Sequence, residues 1–180
     1  LYDNDIRGAD AKELCAALGE LRSLRILDLG ANQLGDKGAA LLADAMMMGR
    51  GGREGGGGCL LEQLSLSGNE IGDEGAALIA ALAAASCRLE LLDMSSNDVG
   101  DAGAERVAAA LGAGGALKVL DLSSNEVRDR CAARLARVLR QSAASHVDLR
   151  WNALGQEGVA ALAAAHRTCA RKVWLDLRGN

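Results

Sequence analysis

Residues 61–83 read LEQLSLSGNEIGDEGAALIAALA, and three sequence patterns follow one another within them. Apolar and polar residues alternate up to Leu66, which is the pattern of a short β-strand. Asn69 comes next, and Asp73 then precedes an alanine-rich apolar run. Aspartate is a favoured capping residue at the start of a helix, because its carboxylate accepts hydrogen bonds from free backbone N–H groups. The stretch therefore predicts a strand, a turn and a helix.

The same stretch recurs along the chain. Asparagine occurs only at positions 4, 32, 69, 97, 125, 152 and 180, so that the spacings are 28, 37, 28, 28, 27 and 28 residues. From Asn32 onward an apolar residue, usually leucine, stands three and five residues before each asparagine. A fixed period in this range is typical of a solenoid built from repeats.

Residues 24–43, 61–83 and 117–127 resemble the leucine-rich repeat L-x-x-L-x-L-x-x-N-x-L. The period matches its long form, found in ribonuclease inhibitor and in the C-terminal region of NOD-like receptors. Ribonuclease inhibitor alternates asparagine-type and cysteine-type units, whereas every equivalent position here is asparagine, which moves the likeness towards receptor-type arrays or free-standing repeat proteins.

The resemblance implies an α/β fold, a horseshoe-shaped solenoid with a parallel β-sheet on its concave face and α-helices on its convex face. It also implies a ladder of asparagine side chains that bond backbone groups where each strand ends. The ladder residues are Asn32, Asn69, Asn97, Asn125 and Asn152.

The repeats predict a single domain over residues 1–180, with about six to seven units. The longer gap contains a glycine-rich segment, residues 49–58, which we interpret as a flexible insertion after a convex helix. Both ends lack the polar cover of terminal repeats, so we expect a segment of a longer array. Arg128 and Cys131 replace glycines of the fifth unit, which should alter its turn locally. In other units we expect glycine to let the helix and strand layers approach, at Gly38, Gly75, Gly103 and Gly158.

Composition excludes several classes of protein. Proline and phenylalanine are absent, so that the core must be built from Leu, Ala, Val, Ile and Met. The longest apolar run, residues 76–85, is too short to span a bilayer, and a membrane role is not expected. No secretory leader is visible, and five cysteines form an odd number without a C-x-x-C pair, which favours a reducing, cytoplasmic setting.

Motifs for catalysis and cofactor binding are missing from the sequence. There is no G-x-x-x-x-G-K-[ST], H-E-x-x-H or G-x-S-x-G, and the glycine-rich segment contains Glu54, which would repel phosphate. His166 and Cys169 form half of a metal site with no second half. We therefore predict no catalysis, no cofactor and no metal.

The outward positions of the strands are the expected binding surface. Four residues before each asparagine stands a mostly acidic column, namely Asp28, Ser65, Asp93, Asp121, Asp148 and Asp176. Neighbouring strands lie about 4.8 Å apart, so these carboxylates would form a nearly continuous row suited to a basic partner. The alternative is that the row only keeps the surface soluble.

Aromatic and arginine residues gather at the C-terminal end of this surface. Exposed tryptophan and arginine beside carboxylates are typical of interaction hot spots. The predicted partner-binding residues are Asp93, Asp121, His146, Asp148, Arg150, Trp151, Trp174, Asp176 and Arg178.

Charge is divided unevenly, with a net −8 over residues 1–100 and +4 over residues 101–180. Much of the positive charge lies at Arg130, Arg134, Arg137 and Arg140, which share one helical face that should be convex and solvated. A nucleic-acid site is the alternative, but the stripe has no interleaved aromatics and we expect no nucleic acid.

These patterns predict a scaffold that binds a partner protein on its concave face. Two alternatives remain open. One is a GTPase-activating regulator resembling the Ran GTPase-activating protein, and the other is the ligand-sensing repeat region of a NOD-like receptor.

Overall fold

The computed structural model describes residues 1–8, 10–21, 23–48, 60–85, 88–112, 115–169 and 171–180. Helices and strands alternate along these residues. The helices are α1 (Ala11–Glu20), α2 (Gly35–Met48), α3 (Asp73–Ala85), α4 (Asp101–Gly112), α5 (Asp129–Leu139) and α6 (Gln156–Thr168). The strands are β1 (Ile26–Asp28), β2 (Gln63–Ser65), β3 (Leu91–Asp93), β4 (Val119–Asp121), β5 (His146–Asp148) and β6 (Trp174–Asp176).

The six strands form one parallel sheet in the order β1-β2-β3-β4-β5-β6. Equivalent residues of successive repeats pair without a shift, so that Leu64 lies opposite Leu92 and Leu92 opposite Leu120. Each connection between neighbouring strands contains a helix, as parallel pairing requires. The predicted α/β solenoid is confirmed.

The core lies between the sheet and the helix layer and consists of the apolar columns of the repeat. In the fourth unit Leu92 and Met94 from the strand segment and Val107 from α4 belong to this core, and all three are fully buried. Each such side chain contributes roughly 2 kcal/mol by leaving water. Because one repeat cannot cover its own apolar side, this stabilisation depends on neighbours.

The turn after each strand uses a left-handed backbone at the residue before the asparagine. Positive φ angles occur at Asp3, Ala31, Gly68, Ser96, Ser124, Trp151 and Gly179. This turn directs the asparagine side chain into the layer between strand and helix.

The asparagines tie each repeat to the one before it. In the fourth repeat, the side-chain oxygen Oδ1 of Asn97 accepts hydrogen bonds from the backbone N–H groups of Asn69 and Ile71, both at 3.0 Å. Its Nδ2 donates to the carbonyl of Leu66 at 2.9 Å and to carbonyls of its own repeat. Asn32, Asn125 and Asn152 make equivalent bonds.

The aspartates at the helix starts bond in the opposite direction, to the repeat that follows. Oδ1 of Asp73 accepts from the N–H groups of Gly100 and Gly103, both at 2.8 Å, which lie at the start of α4. Asp36, Asp101 and Asp129 serve α3, α5 and α6 in the same way.

The expectation that such an aspartate caps its own helix was therefore wrong. The helices pack side by side, so the free N–H groups of the next helix lie within reach of the carboxylate.

The same contact explains the glycines at the helix starts. A Cβ on Gly103 would lie 2.7 Å from Oδ1 of Asp73, so glycine is needed for the approach between successive helices. At α5 the equivalent residues are Arg128 and Cys131, and the hydrogen bond from Cys131 N to Asp101 lengthens to 3.2 Å. The local difference expected there is thus a small one.

Some predictions fall outside the described residues. The glycine-rich segment 49–58 is one of them, and two of the five cysteines, Cys59 and Cys87, also lie outside these residues. Within the described ranges, no helix combines the length and the apolar character needed to cross a membrane.

Candidate protein-binding surface

The sheet has one face against the helices and one face turned away from them, which we call the open face. Side chains two, four and six residues before each ladder asparagine lie on it, because alternate residues of a strand point to the same side. Ile26 and Trp174 occupy its two ends and are both well exposed. The predicted partner-binding residues other than Trp151 belong to these positions.

Over β3 and β4 the open face presents carboxylates. Asp93 and Asp121 are paired in register and half-buried. Oδ1 of Asp93 accepts from the N–H and the hydroxyl of Ser95 at 2.9 and 2.7 Å, and Oδ1 of Asp121 accepts from the N–H of Ser123 at 2.8 Å. In the described part of the chain neither carboxylate forms an ion pair.

Burial raises the pKa of Asp121 above its ordinary value, and the charges of Asp148 and Asp93 add to this effect. The hydrogen bonds from Ser123 act in the opposite direction. The ionised form of Asp121 is therefore destabilised, and a cationic group placed beside it would stabilise that form.

Over β5 and β6 the carboxylates of the same column are already neutralised by arginines. Asp148 and Asp176 are only 7% and 5% exposed, and each is bonded by the arginine two residues further on. Nε of Arg150 lies 3.0 and 2.8 Å from the two carboxylate oxygens of Asp148, and Nε of Arg178 lies 2.9 Å from both oxygens of Asp176. Bidentate bonds from Arg178 lower the pKa of Asp176 to about 2, although burial opposes them.

The acidic row is therefore not continuous. Ser65 interrupts it near one end, and its hydroxyl donates to Oδ2 of Asp93 at 3.0 Å. At the other end a partner would meet guanidinium groups in place of carboxylates. Arg150 also reaches the next strand, since its Nε lies 3.7 Å from Asp176.

Two aromatic rings lie beside these ion pairs. The ring centroids of His146 and Trp174 are 5.7 Å apart with an angle of 38° between the ring planes. Nδ1 of His146 lies 3.1 Å from the Ser145 hydroxyl, which helps to hold the imidazole. Trp174 remains 48% exposed, so the pair forms an accessible apolar surface on neighbouring strands.

Trp151 lies at the turn after β5 and not on the strand itself. It is 64% exposed and adopts a φ of +54°, which costs a bulky residue on the order of 1 kcal/mol. Its ring covers Gly179, where an added Cβ would lie 2.4 Å from Cε3 of the indole. Trp151 therefore packs against the turn of the next repeat.

The opposite end of the open face carries Tyr2, which was not among the predicted partner-binding residues. Tyr2 is exposed there, and its ring packs against Gly30, where a Cβ would lie 3.0 Å from Cδ2 of the ring. Both residues belong to the column two before the asparagine, so the signal was present in the repeat alignment.

The remaining chemical groups point to structural roles. Nε2 of His166 lies 2.7 Å from the carbonyl of Val173, and Cys169 is half-buried. Burial raises the pKa of Cys131 to about 12, with smaller contributions from Asp101 and Glu105, so this thiol stays protonated at neutral pH. Across the described ranges, no three His, Cys, Asp or Glu residues cluster in a way that could hold a metal ion.

Comparison with known proteins supports the prediction of a repeat protein. The sequence profile of the family described as "Leucine Rich repeat" matches residues 20–43, 59–80, 85–108, 117–136 and 145–163, which together make up more than half of the chain. No curated protein sequence gives a significant match.

Among solved structures, the chain is similar to "Leiomodin-1 Actin-Binding Site 2 (ABS2)", with a TM-score of 0.61 and 12% sequence identity over 88% of this chain and 87% of that one. At this identity the two chains share a fold.

Proposed function

Because this chain belongs to the leucine-rich repeat family, we propose that it is a protein-interaction scaffold that holds a partner protein on the open face of its sheet. Stacked repeats create extended, rigid surfaces of this kind. We propose as contact residues those that the sequence indicated, from Asp93 and Asp121 over β3 and β4 to the aromatic and arginine residues of β5 and β6.

The observation that carries the proposal is the pre-organised group on β5 and β6. Two arginines are held in fixed orientation by Asp148 and Asp176, and the Trp174 ring lies on the same strands. Neither Nη1 atom of these arginines has a hydrogen-bond partner in the described part of the chain, so each guanidinium retains donors for a partner. Fixed side chains lose little conformational entropy on binding, and tryptophan and arginine are enriched in hot spots.

The partner that fits the open face is basic over β3 and β4. There the carboxylates of Asp93 and Asp121 are in register, neither is paired with a cation that the structure describes, and the pKa of Asp121 is raised. Over β5 and β6 the fitting group is acidic or planar, since guanidinium groups and an indole are what the face offers.

Several finer features belong to the same proposal. The spacing of 28 residues supports a place among the long-type repeats, and a reducing, cytoplasmic setting is supported by free thiols at Cys15, Cys131 and Cys169. Catalysis is not part of it, and neither of the alternative functions has a structural observation of its own. Actin is not the proposed partner, because the likeness to an actin-binding segment concerns the fold.

A photo-crosslinking experiment tests the location of the partner. Benzoylphenylalanine would replace Trp174 on the open face or, as the matched control, Leu78, which is 40% exposed on α3 in the helix layer. We expect protein adducts from position 174 only, and we expect Asp93→Lys/Asp121→Lys to abolish them without changing the circular dichroism. Adducts that form equally from both positions, or that survive the charge reversal, would contradict the proposal.

A further inference from the structure

The outer face of α5 carries a stripe of arginines that the open face does not involve. Arg130, Arg134, Arg137 and Arg140 follow at spacings of four, three and three residues, which places them on one side of the helix. The opposite side is buried in the core through Cys131, Ala132, Leu135, Ala136 and Leu139. On the outer side, Arg130, Arg137 and Arg140 are exposed and Arg134 is half-buried.

Among the residues that the structure describes, only the first of these arginines has an acidic partner. Nε of Arg130 lies 2.9 Å from Glu105 on α4. Arg134 and Arg137 form no ion pair in the described part of the chain, and Nε of Arg140 reaches only the carbonyl of Ala136 at 3.4 Å. Like charges at this spacing repel one another, and the favourable helix dipole acts on Arg137 and Arg140 near the C-terminus but not on Arg134.

The neighbouring helices offer no carboxylate beside the second half of α5. Glu105 on α4 and Glu157 on α6 both lie towards the N-terminal ends of their helices. Asp129 is engaged by the N–H groups of Gly155 and Gly158. Three cationic groups thus remain available along about two helical turns.

The C-terminal end of the stripe continues into a surface pocket of about 220 Å³. Two arginines from consecutive repeats, Arg140 and Arg171, line it together with Gln141 and Ser142. A carboxylate in this pocket could bond both guanidinium groups, which is the geometry that favours arginine for carboxylate recognition.

We propose that Arg134, Arg137, Arg140 and this pocket form a second docking surface, on the helix layer, for an acidic segment of a partner protein. The fitting segment is a helix whose Asp or Glu residues recur at the spacing of the arginines themselves. This surface is separate from the open face and does not depend on the function proposed for it.

Two other anionic partners fit less well. Nucleic acid binding normally adds aromatic side chains on which bases stack, whereas the aromatic residues of the described chain lie on the strands, at a turn and at position 2. A membrane surface is bound by helices that insert large apolar side chains. The exposed large apolar residues of the described chain include none on α5 or α6.

Fluorescence anisotropy with two designed peptides tests the proposal. Both are fluorescein-labelled, alanine-based helical peptides with four glutamates, which lie on one face at positions i, i+4, i+7 and i+10 in the first and are spread around the helix in the second. At low salt we expect the first peptide to bind at least about tenfold more tightly than the second, with an affinity that falls as salt is added.

Matched variants locate the binding. Arg134→Ala/Arg137→Ala should weaken the first peptide about tenfold or more, whereas Lys12→Ala/Lys37→Ala, which removes two exposed charges from α1 and α2, should leave it unchanged. Alanine favours helix, so circular dichroism should show both variants folded. Trp174→Ala on the open face should keep peptide binding, which separates this proposal from the previous one.

Three results would overturn the second docking surface. They are the absence of binding by the first peptide, equal affinity for both peptides, and tighter binding of poly(U) or of phosphatidylserine vesicles than of the first peptide.

Discussion

The two halves of the open face occupy the same columns of the repeat and differ in their electrostatic state. Over β3 and β4, Asp93 and Asp121 are followed two residues later by serines, whose N–H groups leave the negative charge in place. Over β5 and β6 the equivalent followers are Arg150 and Arg178, which neutralise the carboxylates before any partner arrives.

This difference shows that the position of a carboxylate and its availability for binding are separate properties, although a repeat alignment gives both the same column. The column decides where a carboxylate points, because the strand register is constant along the sheet. The residue two positions further on, which shares the same face, decides whether that carboxylate is available for binding. One face can thus offer negative charge at one end and positive charge at the other.

Removal of a ladder asparagine tests whether both halves rest on the same scaffold, and it should have the largest effect. Asn97→Ala leaves buried backbone groups of the preceding repeat without partners, which should cost about 3 kcal/mol of unfolding free energy. Asn152→Ala should cost about 2 kcal/mol, since water can reach its more exposed surroundings. Urea unfolding measures both, and an unchanged midpoint in either variant would show that the asparagine side chain does not stabilise the fold.

Removal of Arg178 should bring the carboxylate over β6 closer to the state of those over β3 and β4, which have no arginine two residues further on. In Arg178→Ala, Asp176 loses the bidentate bond that is the main cause of its low pKa, so that its pKa should rise from about 2 towards the ordinary 3.8. A lowered carboxyl pKa stabilises the fold above the unfolded value and loses that effect as pH falls through the folded value. The wild type should therefore be the more stable protein above about pH 4 and lose its advantage near pH 2.

Urea unfolding at pH 7 and pH 2, with an NMR titration of the Asp176 side chain, checks this expectation. Arg140→Ala is the matched control, since it removes an exposed arginine that pairs with no carboxylate in the described chain. An advantage of the wild type that persists at pH 2 would mean that Arg178 acts by packing and not by charge.

The reverse exchange places an arginine two residues after a carboxylate that lacks one. In Ser123→Arg the pKa of Asp121 should fall, and stability should increase by about 0.5 kcal/mol, the usual scale of a partly exposed ion pair. Capture of a basic partner should fall. NMR titration of Asp121 is the decisive measurement, with Ser123→Ala as control, and a pKa that stays raised would show that the follower does not set the difference.

The smallest effect is expected from removing the charge of Asp121. Because burial raises its pKa, the stabilisation linked to its proton is complete below the ordinary pKa and is lost as pH rises through the folded value. Asp121→Asn stays neutral at every pH and can still accept from Ser123, so it should be slightly more stable than the wild type at pH 7. The difference should vanish at pH 3. A urea midpoint that falls at pH 7 would contradict this assignment.

The fold followed from the sequence because the repeat makes the same local choice many times. Asn32 to Asn152 recur with constant apolar neighbours, so errors in one unit are corrected by the others. The direction of hydrogen bonding at Asp73 did not follow, since a period identifies equivalent residues without saying which repeat supplies the partner. A usable signal was present in Gly100 and Gly103, which must be small only if the preceding aspartate approaches them.

The candidate site was predicted less completely. The alternation of the strands was enough to place His146 and Trp174 side by side, and their rings do meet. The pairing of Asp148 with Arg150 was missed, although both residues were assigned to the same face and stand two apart. Its energetics depend on burial, because Asp148 is accessible to water only through a small fraction of its surface and is bonded there by the arginine.

The junction between α4 and α5 has a consequence for how the array comes apart. There Cys131 stands where the other repeats have glycine, the bond to Asp101 is longer, and the first helical bond, from Ala132 N to the carbonyl of Arg128, stretches to 3.4 Å against 3.0 Å at α3 and α4. In a chain of nearest-neighbour couplings, a weaker coupling favours separation into cooperative blocks. We expect an unfolding front to stop at this boundary, so that hydrogen exchange would show α1 to α4 and α5 to α6 opening as two separate units.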